Sequence, residues 1–218
     1  MAISLKRTGA LHAAVIKLLV YGGAGTGKTC LIPTLPKPIV LSAEAGLLSI
    51  AGADVPYIEI DSLETLREAW SWLSKEDHGF ESVVIDSISE VAEVVLNAEK
   101  KTAKDPRQAY GAMQEAMADL VRAYRDLPMH VVMIAKLDKT ADETGRLLYS
   151  PSMPGKVFAQ QLPYFFDEVL ALRVGTDGSR TLLTDGDGIW QAKDRSGRLD
   201  TIEPGDLGAV IKKIAGAK

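Results

Sequence analysis

A glycine-rich segment that directly follows an apolar run constrains the fold of this chain more than any other feature. The apolar run covers residues 15–21, and the segment after it reads Gly22-Gly23-Ala24-Gly25-Thr26-Gly27-Lys28-Thr29-Cys30. It contains the pattern G-x-x-x-x-G-K-[ST] of a phosphate-binding loop, which lies between a buried strand and a helix. Glycines let the backbone curl so that its N–H groups point at an anion. The segment therefore predicts an α/β fold with a nucleoside triphosphate site at residues 22–30.

Two side chains of the loop carry its expected chemistry. Lys28 is placed to reach the β- and γ-phosphates, and the Thr29 hydroxyl to hold Mg²⁺. A helix that begins near Gly27 would add the positive end of its dipole. ATP and Mg²⁺ are therefore the expected ligands.

Composition limits the other possibilities. The chain has 218 residues, 46% hydrophobic residues and a formal net charge of −4, which favours one domain over residues 1–218 and argues against nucleic-acid binding by overall charge. A single cysteine excludes an internal disulfide framework, and the three histidines show no metal-ligand spacing. The apolar runs are too short to cross a membrane, and no signal peptide is recognisable. We expect a cytoplasmic protein.

Strand and helix patterns alternate along the chain, which predicts a mainly parallel sheet flanked by helices, with a C-terminal antiparallel extension. The expected core covers about residues 15–174, followed by a β-meander and helix in 175–218. Residues 1–14 are expected to form a short arm or an extra strand. Strands are predicted at 15–21, 38–44, 55–60, 82–87, 130–136, 168–174, 180–183 and 189–192. Helices are predicted after Thr29 and at about 62–73, 88–100, 108–127, 155–166 and 206–215, with a loop at 137–154.

Three charged residues follow predicted strands and therefore belong at the ligand edge of the sheet. Asp86 follows three apolar residues and is the expected second partner of Mg²⁺. Glu44 is a candidate to polarise the water that attacks the γ-phosphate. Lys136 could sense the γ-phosphate, although a surface lysine explains it nearly as well.

These segments together resemble a known superfamily. Residues 22–29, Ser42-Ala43-Glu44 and Val83-Val84-Ile85-Asp86-Ser87 look like the ATPase core of the RecA/RadA/KaiC/DnaB-helicase superfamily. Over about residues 15–200 the chain resembles a group of phage-encoded RecA-like ATPases, some of them assigned to single-strand annealing and recombination. The resemblance implies a RecA-like fold and a location in the host cytoplasm. RecA and RadA have Gln or Asn where this chain has Lys136, so their allosteric sensor is not implied.

The segment Lys193-Asp194-Arg195-Ser196-Gly197 resembles the K-x-R-x-G element of the KaiC and DnaB branches. In those branches the lysine and arginine reach the γ-phosphate of a neighbouring subunit. The resemblance implies that Lys193 and Arg195 act in trans in a homo-oligomeric ring or filament. On a strand, both side chains would point to one side.

In RecA-like proteins two loops hold single-stranded DNA, and the equivalent segments here are 100–110 and 139–156. They combine cations with an aromatic side chain, a composition suited to phosphates and stacked bases. The candidate DNA-binding residues are Lys100, Lys101, Lys104, Arg107, Tyr110, Lys139, Arg146 and Lys156. Solvated loop charges explain the same residues about equally well.

The sequence thus predicts a RecA-like ATPase that assembles on single-stranded DNA in phage recombination or annealing. One alternative is a KaiC-like switch, in which ATP controls assembly and binding to a protein partner. A small-molecule kinase is a weaker alternative, because no arginine-rich lid is recognisable.

Overall fold

The computed structural model describes residues 15–216. The arm or strand expected in residues 1–14 lies outside the described residues. Within these residues the chain forms one ten-stranded sheet. Its strands are β1 (Lys17–Gly22), β2 (Pro38–Ser42), β3 (Tyr57–Glu59), β4 (Ser82–Asp86), β5 (His130–Ala141), β6 (Leu147–Ser152), β7 (Glu168–Val174), β8 (Arg180–Leu183), β9 (Lys193–Asp194) and β10 (Ile202–Pro204).

The strand order places the glycine-rich loop near the middle of the sheet. The order is β10-β8-β7-β1-β5-β4-β2-β3, with β6 paired to β5 and β9 to β7. Six neighbouring strands, from β7 to β3, are parallel, whereas β8, β10, β6 and β9 pair antiparallel to their neighbours. This architecture confirms the predicted α/β fold with a mainly parallel sheet and a C-terminal antiparallel extension.

Apolar side chains fill both faces of the sheet, as expected for parallel strands covered on both sides. In β1, Leu19 and Tyr21 belong to one core cluster, whereas Leu18 and Val20 belong to the other. The apolar residues 18–21 of β1 are therefore buried on both faces of the sheet, and they fix the position from which the loop after Gly22 starts.

Within residues 15–216, five α-helices flank the sheet: α1 (Leu63–Lys75), α2 (Ile88–Thr102), α3 (Pro106–Arg125), α4 (Lys156–Gln161) and α5 (Leu207–Ala215). Ser62, Ser87, Asp105 and Asp206 cap four of them by accepting a backbone N–H bond at the first turn. No helix within residues 15–216 is long and apolar enough to cross a membrane.

Several predicted elements were wrong in detail. The segment 137–154 is not a loop, because β5 continues to Ala141 and turns back as β6. Residues 189–192 form no strand and make only an isolated bridge between Trp190 and Tyr149. The predicted helix 155–166 divides into α4 and a 3-10 helix at Leu162–Phe165.

The helix after the loop also differs from the prediction. It is a six-residue 3-10 helix (Thr29–Thr34) with Pro33 inside it, and it ends before Leu35. Proline removes a backbone donor, which suits a short 3-10 helix better than a long α-helix. A dipole contribution from a full α-helix therefore does not apply to this loop.

Candidate nucleotide-binding site

The loop 22–29 leaves β1 at the carboxyl edge of the sheet and curls back on itself. Gly25 and Gly27 have φ angles of +73° and +88°, a region that glycine adopts without a steric cost. The Thr26 hydroxyl donates to the Gly23 carbonyl at 2.9 Å and closes the turn. The N–H groups of Gly25, Gly27 and Lys28 donate to no acceptor within residues 15–216. Unpaired backbone donors close together in one loop suit the binding of an anion.

Lys28 folds into the same loop. Its ammonium donates to the carbonyls of Gly22 and Gly23, each at 2.9 Å. Burial lowers the pKa of Lys28, and the nearby carboxylates of Asp86 and Glu44 oppose that shift. The lysine is thus a cation held where a polyphosphate would meet the free N–H groups.

Thr29 and Asp86 meet at the base of the loop, although 57 residues separate them in sequence. The Thr29 hydroxyl donates to the Asp86 carboxylate at 2.8 Å. Burial at the end of β4 raises the pKa of Asp86, and the hydrogen bond from Thr29 opposes that shift. A hydroxyl and a buried carboxylate are hard oxygen ligands of the kind that Mg²⁺ takes, so this pair fits the ion.

Glu44 follows β2 and lies next to the end of β4, because its N–H and that of Ala43 both donate to the Asp86 carbonyl, at 3.3 and 2.8 Å. The Ser87 hydroxyl donates to the Glu44 carboxylate. The Lys136 ammonium lies 3.5 Å from the same carboxylate. The side chain is 38% exposed and so remains accessible to solvent.

Lys136 stands beside the loop, since it pairs with Gly22 in the β1–β5 register. Its ammonium donates to Glu90 at 2.5 Å, and this bond raises the pKa of Lys136. The lysine is therefore engaged by two carboxylates, Glu90 and Glu44, at the edge of the site. The contribution of Glu90 was not expected from the sequence.

Lys193 and Arg195 both contact the segment 163–167 of their own chain. The Lys193 ammonium is half-buried and donates to the carbonyls of Pro163 and Phe166, at 2.8 and 2.6 Å. The Lys193 ammonium is thus satisfied within its own chain. Arg195 lies just beyond the two-residue strand β9 and is 56% exposed, with Nη1 3.1 Å from Asp167.

The two segments expected to bind DNA are ordered elements rather than loops. Segment 100–110 is the junction of α2 and α3, and 139–156 is mainly the β5–β6 hairpin. The Lys100 ammonium lies 5.7 Å from the centre of the Tyr110 ring, and that ring packs against Gly155. The two segments therefore meet beside Lys156. At the hairpin, Arg146 pairs with Asp142 at 3.1 Å, and Lys139 lies 5.5 Å from the Tyr149 ring centre.

One residue at the loop had no signal in the sequence. Arg180, at the start of β8, donates from Nε to the Thr26 carbonyl at 2.9 Å. The two residues are 154 positions apart, so no local pattern could have joined them.

The fold and this site define a P-loop nucleotide-binding protein of the ATPase class. Residues 14–196 match the family model described as an AAA domain, and the chain belongs to that family. A comparison with curated protein sequences gives no significant match.

Among solved structures, the chain is similar to a KaiC-like protein from the hyperthermophilic archaeon Pyrococcus horikoshii. The two share 14% sequence identity over 77% of each chain, with a TM-score of 0.49.

Proposed function

We propose that this protein hydrolyses ATP in a magnesium-dependent reaction. The observation that carries the proposal is the convergence of three groups at one edge of the sheet: the open N–H groups of the loop, the Thr29–Asp86 pair and the carboxylate of Glu44. An anion site, a hard-cation site and an accessible carboxylate are the parts that phosphoryl transfer to water requires.

The loop would bind the phosphates of ATP through its free N–H groups and the Lys28 ammonium. Thr29 and Asp86 would hold Mg²⁺, which neutralises charge on the phosphate oxygens when it is bound. Lys28 would then exchange its present carbonyl partners, Gly22 and Gly23, for phosphate oxygens. The exchange is favourable because a charge-assisted bond to an anion is stronger than one to a neutral carbonyl.

Glu44 would orient the attacking water and accept its proton. Its carboxylate is fixed by the Ser87 hydroxyl and lies near Lys136, so its direction is set before a substrate binds. A pre-oriented base spares the reaction the cost of arranging it. Lys136 would contribute through Glu44 and is best described as a positioning residue.

The test of hydrolysis compares wild type with Lys28→Ala and Glu44→Gln, using nucleotide binding and phosphate release as separate readouts. We expect Lys28→Ala to lose ATP binding, and Glu44→Gln to bind ATP but turn over at least about a hundredfold more slowly. Glu93→Gln, at an exposed position of α2, is the matched control and should behave as wild type. Undiminished turnover by Glu44→Gln would reject its role as the base.

We further propose that the protein acts as a homo-oligomer on single-stranded DNA in phage recombination or annealing. The resemblance to phage-encoded RecA-like proteins motivates this proposal. The contact of Lys100 with Tyr110, whose ring lies against Gly155 just before Lys156, supports it. A cation beside an exposed ring suits a backbone phosphate next to a stacked base. Arg146 is less suited to a phosphate, because Asp142 already neutralises it.

Oligonucleotide binding at several salt concentrations tests the DNA role. We expect Lys100→Ala/Lys156→Ala to weaken binding and to reduce its salt dependence. Lys37→Ala/Lys75→Ala removes the same charge from exposed positions elsewhere and serves as the control. If wild type hydrolyses ATP but binds no oligonucleotide even at low salt, the DNA role is wrong and an ATP-driven assembly switch takes its place.

A further inference from the structure

The side chain of Arg180 lies against the phosphate-binding loop, on the side of Thr26 and Gly27. Its Nε donates to the Thr26 carbonyl at 2.9 Å. A Cβ atom placed on Gly27 would overlap the Arg180 Nε and lie 2.9 Å from its Cζ. Gly27 is thus glycine for two reasons: its positive φ, and the space that the guanidinium occupies.

The hydrogen bond from Arg180 determines which way one peptide group faces. The Thr26–Gly27 peptide is trans, so its carbonyl and its N–H point in opposite directions. Because Arg180 holds the carbonyl on its own side, the Gly27 N–H faces away from the arginine. That N–H has no acceptor within residues 15–216 and is available to an anion.

The C-terminal strands fix the position of Arg180. Its backbone pairs with Val174 of β7 on one side, and its carbonyl accepts from the Gly205 N–H at 2.9 Å on the other. A Cβ on Gly205 would come within 2.9 Å of the Arg180 Cβ, so only glycine permits this close approach. The loop is therefore linked through one guanidinium to β8 and to the residue after β10.

We propose that Arg180 is a positioning residue of the nucleotide site, which sets the Thr26–Gly27 peptide so that the Gly27 N–H meets the phosphates. Through this hydrogen bond from Arg180, the affinity for polyphosphate depends on the C-terminal antiparallel strands, although these strands contribute no residue to the glycine-rich motif. This inference rests on nucleotide binding by the loop, and not on hydrolysis, DNA binding or assembly.

Three variants test the proposal: Arg180→Ala, Arg180→Lys and, as the control, Arg67→Ala on the exposed face of α1. The probes are Mg-ATP and inorganic tripolyphosphate, which has phosphates but no nucleoside. We expect Arg180→Ala to weaken binding of both probes about tenfold or more, the usual effect of one charge-assisted hydrogen bond. KM for ATP should rise by the same factor with kcat little changed, because the lost interaction acts on bound substrate and transition state alike.

Arg180→Lys separates positioning from charge. A lysine keeps the positive charge but puts a methylene where Nε donates to Thr26, so we expect it to remain as weak as Arg180→Ala. Full affinity in Arg180→Lys would show that charge alone matters and would overturn the proposal. A loss with ATP but not with tripolyphosphate would also overturn it, since Arg180 would then contact the nucleoside.

Binding of the two probes by wild type distinguishes the proposed nucleotide site from the proposed role of Arg180. If wild type binds neither probe, the nucleotide site itself is wrong. If wild type binds both and Arg180→Ala binds them equally well, the site stands and only the role of Arg180 is rejected. Arg67→Ala should match wild type throughout, because its partner Glu64 is a solvent-exposed neighbour on the same helix.

Discussion

Glu168 is a carboxyl group whose protonation is controlled by burial. It begins β7, the neighbour of β1 in the sheet, and only 1% of its surface is exposed. Burial raises its pKa to about 8, although the N–H groups of Arg195 and Ser196 donate to its oxygens at 3.0 and 3.3 Å. The neutral form therefore predominates in the folded chain at neutral pH.

This shift predicts how stability depends on pH. The ordinary pKa of the group is 4.5, so between pH 4.5 and about 8 the folded state binds more protons at Glu168 than the unfolded state does. The stabilisation that the raised pKa of Glu168 gives the folded state is complete below pH 4.5 and is lost as the pH rises through about 8. The total is on the order of a few kcal/mol.

Urea unfolding of Glu168→Gln across this range is the measurement. The amide cannot ionise, so the fall in the free energy of unfolding from pH 4.5 to 8 should be smaller than in wild type. Glu93→Gln, at an exposed position of α2, should keep the wild-type profile. An equally steep fall in Glu168→Gln would show that another group is responsible.

At the level of single residues, the sequence indicated those members of the site that lie in local patterns. Lys28 and Thr29 belong to a continuous motif, and Asp86 and Glu44 each follow a strand that an apolar run marks. Ser87 and Glu90 were given no functional role from the sequence. Both lie at the start of α2, and their contacts with Glu44 and Lys136 depend on how that helix packs against the neighbouring strands. Arg180 could not be found at all, since its partner lies 154 residues away.

At the level of elements, β6 shows why a strand can be missed. Proline usually argues against a strand, because it cannot donate to the hydrogen-bond ladder. Pro151 nevertheless lies in β6, opposite Leu137, because β5 is the only strand within residues 15–216 that pairs with β6, and the other side of β6 makes just an isolated bridge at Tyr149. Pairing of this kind depends on where a strand lies in the sheet, which periodicity alone does not reveal.

The contact between α5 and the 3-10 helix after the loop is the basis of a second prediction. The Thr34 hydroxyl accepts the N–H groups of Leu207 and Gly208 at 3.0 and 3.4 Å. A Cβ on Gly208 would overlap the Thr34 carbonyl, which is backbone and cannot turn aside. Gly208→Ala should therefore lower the free energy of unfolding by about 1–3 kcal/mol.

The control for this prediction is a glycine with open space around its Cα atom. Gly111 is exposed in α3, and a Cβ there would meet nothing within 4 Å. Gly111→Ala should raise the free energy of unfolding by about 0.5–1 kcal/mol, because alanine loses less backbone freedom in a helix. Both values come from urea denaturation, and a Gly208→Ala protein as stable as wild type would contradict the close packing at Thr34.

At the level of the whole molecule, the question is whether one chain completes its own site. Arg195 is 56% exposed and pairs with Asp167 at 3.1 Å within its own chain. Lys193 is held by two carbonyls of the same chain. If a neighbouring subunit supplies a cation, Arg195 is thus better suited than Lys193, because an exposed ion pair costs little to break.

Mixing two inactive proteins tests this role directly. The Arg195→Ala protein has an intact phosphate-binding loop but no arginine to place in a neighbour's site. The Lys28→Ala protein retains Arg195 but should not bind ATP. A trans-acting arginine contributes about 10³-fold or more to the rate, so each protein alone should be nearly inactive. Mixed assemblies should regain part of the wild-type ATPase rate, because some interfaces join an intact loop to an intact Arg195.

The control replaces another exposed arginine. Arg173→Ala, on β7, removes a cation that lies 5.5 Å from the Trp190 ring centre, and it should remain active without mixing. Size-exclusion chromatography of differently labelled partners must show that mixed assemblies form. If they form and no ratio restores hydrolysis, Arg195 does not act in trans. Full activity of Arg195→Ala alone would lead to the same conclusion and leave each chain with a site built from its own residues.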